Sequence, residues 1–364
     1  MGLNTLGRLV VFSFFGESHG RLVGSLIQGF PAGLRVDEDR IRLDLSRRRA
    51  GYGSTTRIEE DSFEILSGVF KGFTTGAPLL IVVWNTEADQ GFYERVKITP
   101  RPSHVDYPYR VRYGGFNDYR GGGFSSGRFT AGWVAAGSLA AQLLERKGVK
   151  IYAHVTRIGG ASYRGEPSEE DLKKVYESPV RCVDPDASRI MMREIDEALR
   201  ERDSVGGVVE CRIYGVPPGI GDPLFEGLDV ELARAVMSIP GVKGVEFGRG
   251  FEASCMRGSV FNDELTVRDG RIEVAGVSDG GVVGGVSTGS MIVFRAAFKP
   301  TPSITRVQRT VNLEEMRSVN LDLSGGRFDV CIAPRAVPVV EAVSAMVLID
   351  HYARAGLIGR VVKD

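Results

Sequence analysis

The sequence predicts an α+β fold, on three observations. Short runs of β-branched and aromatic residues recur along all 364 residues, mostly bounded by glycine or proline. Two helical segments are apolar around most of their circumference and so belong in an interior. A third helical segment is amphipathic. A chain of this length buries roughly three quarters of the surface that its unfolded form exposes, so a large core is available.

The first run, LVVFSFFG, is too short to span a membrane and lacks the flanks of a secretory signal, so it reads as a first buried strand. LLIVVW, VKIYAHVTRI, GGVVECRIYGV and SMIVFRAAF follow as further strands. Among them, TAGWVAAGSLAAQLLERKG predicts a helix buried on several sides and ending at Gly148. DASRIMMREIDEALRERD predicts a surface helix with Ile190, Met191, Ile195 and Leu199 on its apolar side. RAVPVVEAVSAMVLIDHYARAG predicts a second interior helix, with Pro338 acceptable only in the first turn. Each interior helix follows a glycine loop that carries arginine and aspartate, DYRGGG and SGGRFDV, which hints at an internal duplication of two α+β halves. No Pro- or Ser-rich linker separates them, so residues 1–364 are expected to form one unit.

Formal net charge is zero, with 46 basic and 46 acidic residues, so no whole-molecule field exists to hold nucleic acid or an anionic membrane. Any anion site must be a local concentration of arginine. Two such concentrations occur: six arginines against Asp44 between Arg40 and Arg57, and five against Asp106 and Asp118 between Arg101 and Thr130. Cys182, Cys211, Cys255 and Cys331 have no C-x-x-C spacing, which argues against a disulfide framework and a zinc site and fits a reducing cytoplasm.

Of four histidines, two stand in loops rich in small and charged residues, His19 in FGESHG and His104 in RPSHVDY. A lone histidine is ordinarily a hydrogen-bonded structural residue. Beside clustered arginines, these two also suit acid/base work on an anionic substrate. Neither has a second histidine or cysteine at metal-ligand spacing, so no metal is expected. DYRGGGFSSGRF, Asp118 to Phe129, combines glycines that admit a phosphate to the backbone with hydroxyl and guanidinium donors. It is neither a Walker loop nor a dinucleotide fingerprint, and from its chemistry it is either an anion or cofactor loop or a glycine-rich packing corner. GGVVGGVSTG and KPTPSITR have the same donor-rich character.

Taken together, GESHG, SRRRAGYG, RPSHVDY, DYRGGGFSSGRFTA, GVKGVEFGRGF, GGVVGGVSTG, KPTPSI and GRFDV…PRAVPVVEA resemble the chorismate synthase family in order and spacing over nearly the whole chain. The resemblance implies two four-stranded antiparallel sheets around a central helical layer. It implies a 1,4-anti elimination of phosphate from 5-enolpyruvylshikimate 3-phosphate to give chorismate, with reduced FMN required and NADPH or another reductant as electron source. By the same resemblance His19 would protonate the flavin, His104 would act as general acid on the departing phosphate, and Asp329 would assist proton transfer. Arg48, Arg101, Arg128 and Arg327 would hold the substrate's anionic groups, Arg48 being also the position linked to NADPH. Flavin contacts would come from Phe124, Ser125 and Ser126, from Pro240 and Gly241, from Gly284, from Lys299, Pro300, Thr301, Pro302 and Ser303, and from Arg327. A cytoplasmic homotetramer, served by a separate flavin reductase and binding neither nucleic acid nor membrane, is the implied context.

The chain departs from the family pattern at Phe124 and Phe129, which replace an arginine and a glutamate, at Phe328, which replaces a histidine, and at Ser54, where an arginine is common. These changes alter the charge balance around the flavin. They leave a second reading open, a flavin-binding paralogue acting on another phosphorylated anion. An RNA-binding protein is a third, against which the zero net charge and the lack of a stacking module count.

Overall fold

The apolar runs form strands where their side chains can alternate between two environments. A computed structural model describes the chain except residues 1–3, 50–51, 55–60, 86–90, 327 and 363–364. Its first sheet is antiparallel and runs in the order Thr5–Leu6, Val11–Gly16, Leu22–Gln28, Leu79–Trp84, Phe63–Ser67. Phe12, Val23, Ile27, Ile81 and Val83 point to one face and are fully buried, as the period of two requires. The second sheet is also antiparallel, in the order Val242–Phe247, Ile292–Phe298, Gly207–Tyr214, Lys150–Ile158, Ala161–Ser162.

Each sheet thus has five strands where four were expected. The additional strands, Thr5–Leu6 and Ala161–Ser162, are two-residue edge pairings too short to leave a periodic signal. Among the described residues four further two-stranded pairs stand outside the sheets.

The two apolar helices join the sheets. Thr130–Glu145 packs on the first sheet, Ala333–Arg354 packs on the second, and the two pack against each other. They approach closely because Gly137 faces Ala342: a Cβ on Gly137 would sit 2.4 Å from the Ala342 Cβ. Ala333–Arg354 is long and apolar enough to cross a membrane, but here it is a core helix.

Three expectations change in detail. The first interior helix ends at Glu145, and Gly148 follows in a turn with φ +81°. Pro338 lies beyond the first turn of Ala333–Arg354. Its missing N–H leaves the Pro334 carbonyl without its i+4 partner. In the helix Pro185–Arg200 the buried stripe is Ser188, Met191 and Ile195, whereas Ile190 and Leu199 are exposed. Consecutive helical residues differ by about 100°, so Ile190 cannot share the direction of Met191.

Candidate active site

The glycine-rich loop leads into the first central helix, and its conformation depends on glycine at three successive positions. Gly121, Gly122 and Gly123 have φ of +61°, +105° and +56°. A Cβ on Gly121 would lie 2.6 Å from His19 Cε1, and one on Gly122 would lie 3.3 Å from His104 Cε1 and Nε2. Adjacent glycines of the loop thus face the two loop histidines, too close for ordinary side chains at these positions. Past the glycines, Ser126 Oγ accepts from Arg128 N at 3.3 Å and starts the turn Gly127–Phe129 that feeds the helix.

His19 is buried at the end of the strand Val11–Gly16. Ser18 Oγ donates to the Arg120 carbonyl at 3.2 Å and lies 2.8 Å from His19 Nδ1. With its one proton committed, the hydroxyl accepts from Nδ1–H, which leaves Nε2 as the basic nitrogen of the neutral ring. The edge of the ring meets Tyr93, with centroids 4.6 Å apart.

His104 is held by a carboxylate. Asp106 Oδ1 lies 2.7 Å from His104 Nδ1 and accepts from Arg101 Nη2 at 2.9 Å. Oδ2 accepts from Arg101 Nε at 2.8 Å and from Arg101 N at 3.0 Å. Burial would raise the Asp106 carboxyl, but its bonds to Arg101 and His104 outweigh burial and hold it well below the usual carboxylate range. Burial also pushes His104 below its ordinary value, against the opposing pull of Asp106. The remaining arm of Arg101, Nη1, donates to Ser303 Oγ at 3.2 Å, which ties this loop to the Lys299–Ser303 segment.

Two further arginines share one buried acid. Asp61, whose side chain has no accessible surface, accepts from Arg48 Nη2 at 2.8 Å and from Arg128 Nη1. Burial alone would raise its carboxyl; the two guanidinium groups hold it below the usual range. Arg128 also donates from Nε to Asn85 Oδ1 at 2.7 Å and from Nη2 to the Trp84 carbonyl at 2.8 Å. Nearby, Arg335 Nη1 donates to both oxygens of Asp329 at 2.8 Å, and its Nε donates to the Arg48 carbonyl at 3.2 Å.

These groups line one cavity of about 830 Å³, within the range of about 300–1,000 Å³ typical of ligand sites. It gathers His19, His104, Asp329, Arg48, Arg101 and Arg128, with the Phe124–Ser126, Pro240–Gly241 and Lys299–Ser303 segments. Among the described residues its lining holds eight lysines and arginines and one carboxylate, Asp329. Gly284 is not brought there; it is exposed in the turn between Val282–Val283 and Val286–Ser287. Arg327 lies outside the described residues, and Ser54 does not line the cavity.

The phenylalanine departures acquire physical roles. Phe124 stacks on Tyr109 with centroids 5.0 Å apart and meets Phe129 edge-on at 6.5 Å. Phe129 continues to Trp133 at 6.1 Å and Trp133 to Phe14 at 5.4 Å, forming an aromatic wall. Phe328 instead packs on a small cluster of Val96, Leu321 and Leu323.

Sequence reasoning missed Asp61, Arg335, Arg49, Arg234 and Lys243. A lone arginine opening an apolar helix was a usable signal for Arg335. Nothing in RIEEDSF distinguishes Asp61 from the acids before it.

The model of the chorismate synthase family matches residues 10–353. The chain belongs to the chorismate synthase family. It is 49% identical over 350 residues to the chorismate synthase of Thermococcus gammatolerans, covering 96% of this chain and 97% of that one. To the chorismate synthase of Methanococcoides burtonii it is 47% identical over 355 residues, covering 97% and 96%. A solved chorismate synthase crystal structure superposes with a TM-score of 0.78 at 30% identity, covering 98% of this chain and 95% of that one. The activity is thus that of chorismate synthase, a lyase of aromatic amino acid biosynthesis in the shikimate pathway, which eliminates phosphate from 5-enolpyruvylshikimate 3-phosphate.

Proposed function

We propose that this elimination takes place in the 830 Å³ cavity with reduced FMN beside the substrate. The observation that carries the reading is the glycine loop's position against His19 and His104 on the wall of a strongly cationic cavity in a chain of zero net charge. A substrate with two carboxylates and a phosphate, together with a flavin phosphate, calls for such an excess.

The residues present fit a flavin and its phosphate. Tyr109, Phe124, Phe129 and Trp133 offer an apolar aromatic wall, and the Lys299–Ser303 segment offers donors. Arg48 Nε, Arg49 Nε and Trp133 Nε1 are buried donors with no acceptor among the described residues, which invites anionic or carbonyl oxygens from outside the chain. Ser125, Ser126, Pro240, Gly241 and Lys299–Ser303 would hold the cofactor, with Arg327 from outside the described residues. Gly284 would join them only through contacts beyond this single chain. When bound, reduced FMN supplies electron density to the substrate's allylic system.

The chain's own residues do the rest. Arg48 and Arg128, fixed by Asp61, orient the anionic substrate. His104 gives a proton at Nε2 to the leaving phosphate. The substrate's charge brings its imidazole toward the protonated form that burial disfavours. His19 holds a second proton, and Asp329, oriented by Arg335, is the one lining carboxylate among the described residues able to accept one. The two halves, each a sheet with its own central helix, are read as a sandwich of duplicated units. The chain works over residues 1–364 as a cytoplasmic homotetramer, with Arg48 as the NADPH-linked position and a separate reductase supplying electrons.

Anaerobic titration with FMN in the presence of substrate should give saturable binding. NADPH with FMN alone should give no turnover, while adding a flavin reductase should restore it. Absent binding contradicts the cofactor assignment, and robust turnover with NADPH and FMN alone contradicts the need for a partner.

A further inference from the structure

We infer that Asp106, clamped by Arg101, is the positioning residue that fixes the His104 imidazole with its proton on Nδ1 and so makes Nε2 the nitrogen that works on the substrate. The inference rests on the reading of His104 as the acid that protonates the departing phosphate. It also gives Arg101, which lines the cavity, a supporting role in holding Asp106.

The hydrogen-bond inventory leaves a single solution. An ionised carboxylate only accepts. Asp106 Oδ2 takes two N–H groups of Arg101, and Oδ1 takes a third Arg101 N–H together with His104 Nδ1 at 2.7 Å. Three Arg101 donors converge on this buried carboxylate and hold it ionised, so it can only accept and Nδ1 must be the donor of the pair. Arg101 is itself buried, and its Nη1 donates to Ser303 Oγ, so the guanidinium is held in one place on the cavity wall. On the other side of the imidazole, a Cβ on Gly122 would lie 3.3 Å from Cε1 and Nε2. Glycine at this position, with φ +105°, keeps a side chain from covering Nε2.

The electrostatics have a definite sign. Asp106 favours the imidazolium, while burial, Arg101 and Lys299 oppose it. Lys299 is anchored nearby through Nζ to the Ser103 carbonyl at 2.7 Å. When Nε2 gives its proton to the phosphate oxygen, the ring returns to the neutral Nδ1–H form and Asp106 stays ionised throughout. No proton passes to the carboxylate.

Removing the charge of Asp106 therefore lowers the pKa of His104. A reaction that needs the imidazolium then loses rate at lower pH, and the alkaline limb of the kcat profile moves down.

The chain has four histidines, so the ring-nitrogen NMR signals of His104 can be assigned by comparison with His104→Ala. In the wild-type protein the neutral ring is expected to carry its proton on Nδ1; a proton on Nε2 overturns the proposal without any further variant. Asp106→Asn keeps the shape of the carboxyl. It is expected to lower kcat on the order of 10²-fold with KM little changed, and to shift the alkaline limb to lower pH. A folded Asp106→Asn protein with unchanged kcat and limb also overturns the proposal. His104→Ala separates the two readings, with an expected loss on the order of 10² to 10⁴ in turnover. Loss in His104→Ala without change in Asp106→Asn removes the role of Asp106 alone. Wild-type turnover in His104→Ala removes the acid assignment, and the catalytic role of Asp106 with it.

Discussion

Asp61 binds Arg48 and Arg128 from a side chain with no accessible surface, so it determines where both guanidinium groups can stand. Breaking such a buried arrangement from one side leaves uncompensated charge, in this case two cations. Asp61→Ala is expected to destabilise the protein by about 3–5 kcal/mol, read from denaturant unfolding, and to cost substrate affinity as well. Wild-type stability in that variant would show that the two arginines are held by their other partners. Asp61 also marks a limit of reading sequence at this scale. The arginines announced themselves by clustering, but the acid that neutralises part of their charge sits in an unremarkable acidic run and becomes visible only when strands and loops bring it under Arg48. The histidines were legible because their loops are unusual in composition. Their proton assignments were not, since these depend on partners such as the Arg120 carbonyl, reached only through the fold.

The two central helices meet through small residues, and Gly137 shows the consequence. A Cβ there would lie 2.5 Å from the Ala342 Cα and 2.7 Å from its carbonyl oxygen, both backbone atoms that cannot rotate away. Gly137→Ala gains about 1 kcal/mol of helix propensity but forces the helices apart, at a typical cost of about 1–3 kcal/mol. A net loss of stability is expected, and a gain would mean that the interface is looser than described.

The same helix pair carries a half-buried acid outside the cavity. Glu341 accepts from Tyr176 Oη at 2.6 Å and from Ala153 N at 2.9 Å. Burial pushes its carboxyl up to about 7. A raised folded value means stability that is full below the unfolded value of about 4.5 and is lost as pH rises through about 7. Glu341→Gln should therefore flatten the fall in melting temperature between about pH 5 and pH 8, and an unchanged slope would contradict this. At this scale, strands and interior helices were legible because each has enough residues to establish a period. The two-residue edge strands do not, and Pro338 stands in the second turn of its helix, beyond the turn in which the proline rule would place it.

For the molecule as a whole, equal numbers of acidic and basic residues conceal a strong local asymmetry. Segments around positions 19, 48, 104, 126, 241, 299 and 329 come from most of the chain's length, and two sheets with two interior helices bring them to one cavity. Motif order disclosed the family and many of the residues that line the cavity. It did not disclose that Phe124 and Phe129 extend an aromatic wall instead of leaving a charge deficit, because their neighbours Tyr109 and Trp133 belong to other turns of the structure. The account depends on that rebuilt cavity still supporting the elimination. The direct test is anaerobic turnover of 5-enolpyruvylshikimate 3-phosphate by the purified chain with chemically reduced FMN, following phosphate and chorismate together. Equal amounts of the two products, formed only when the flavin is reduced, are predicted. A folded, flavin-binding protein that releases neither would contradict the account.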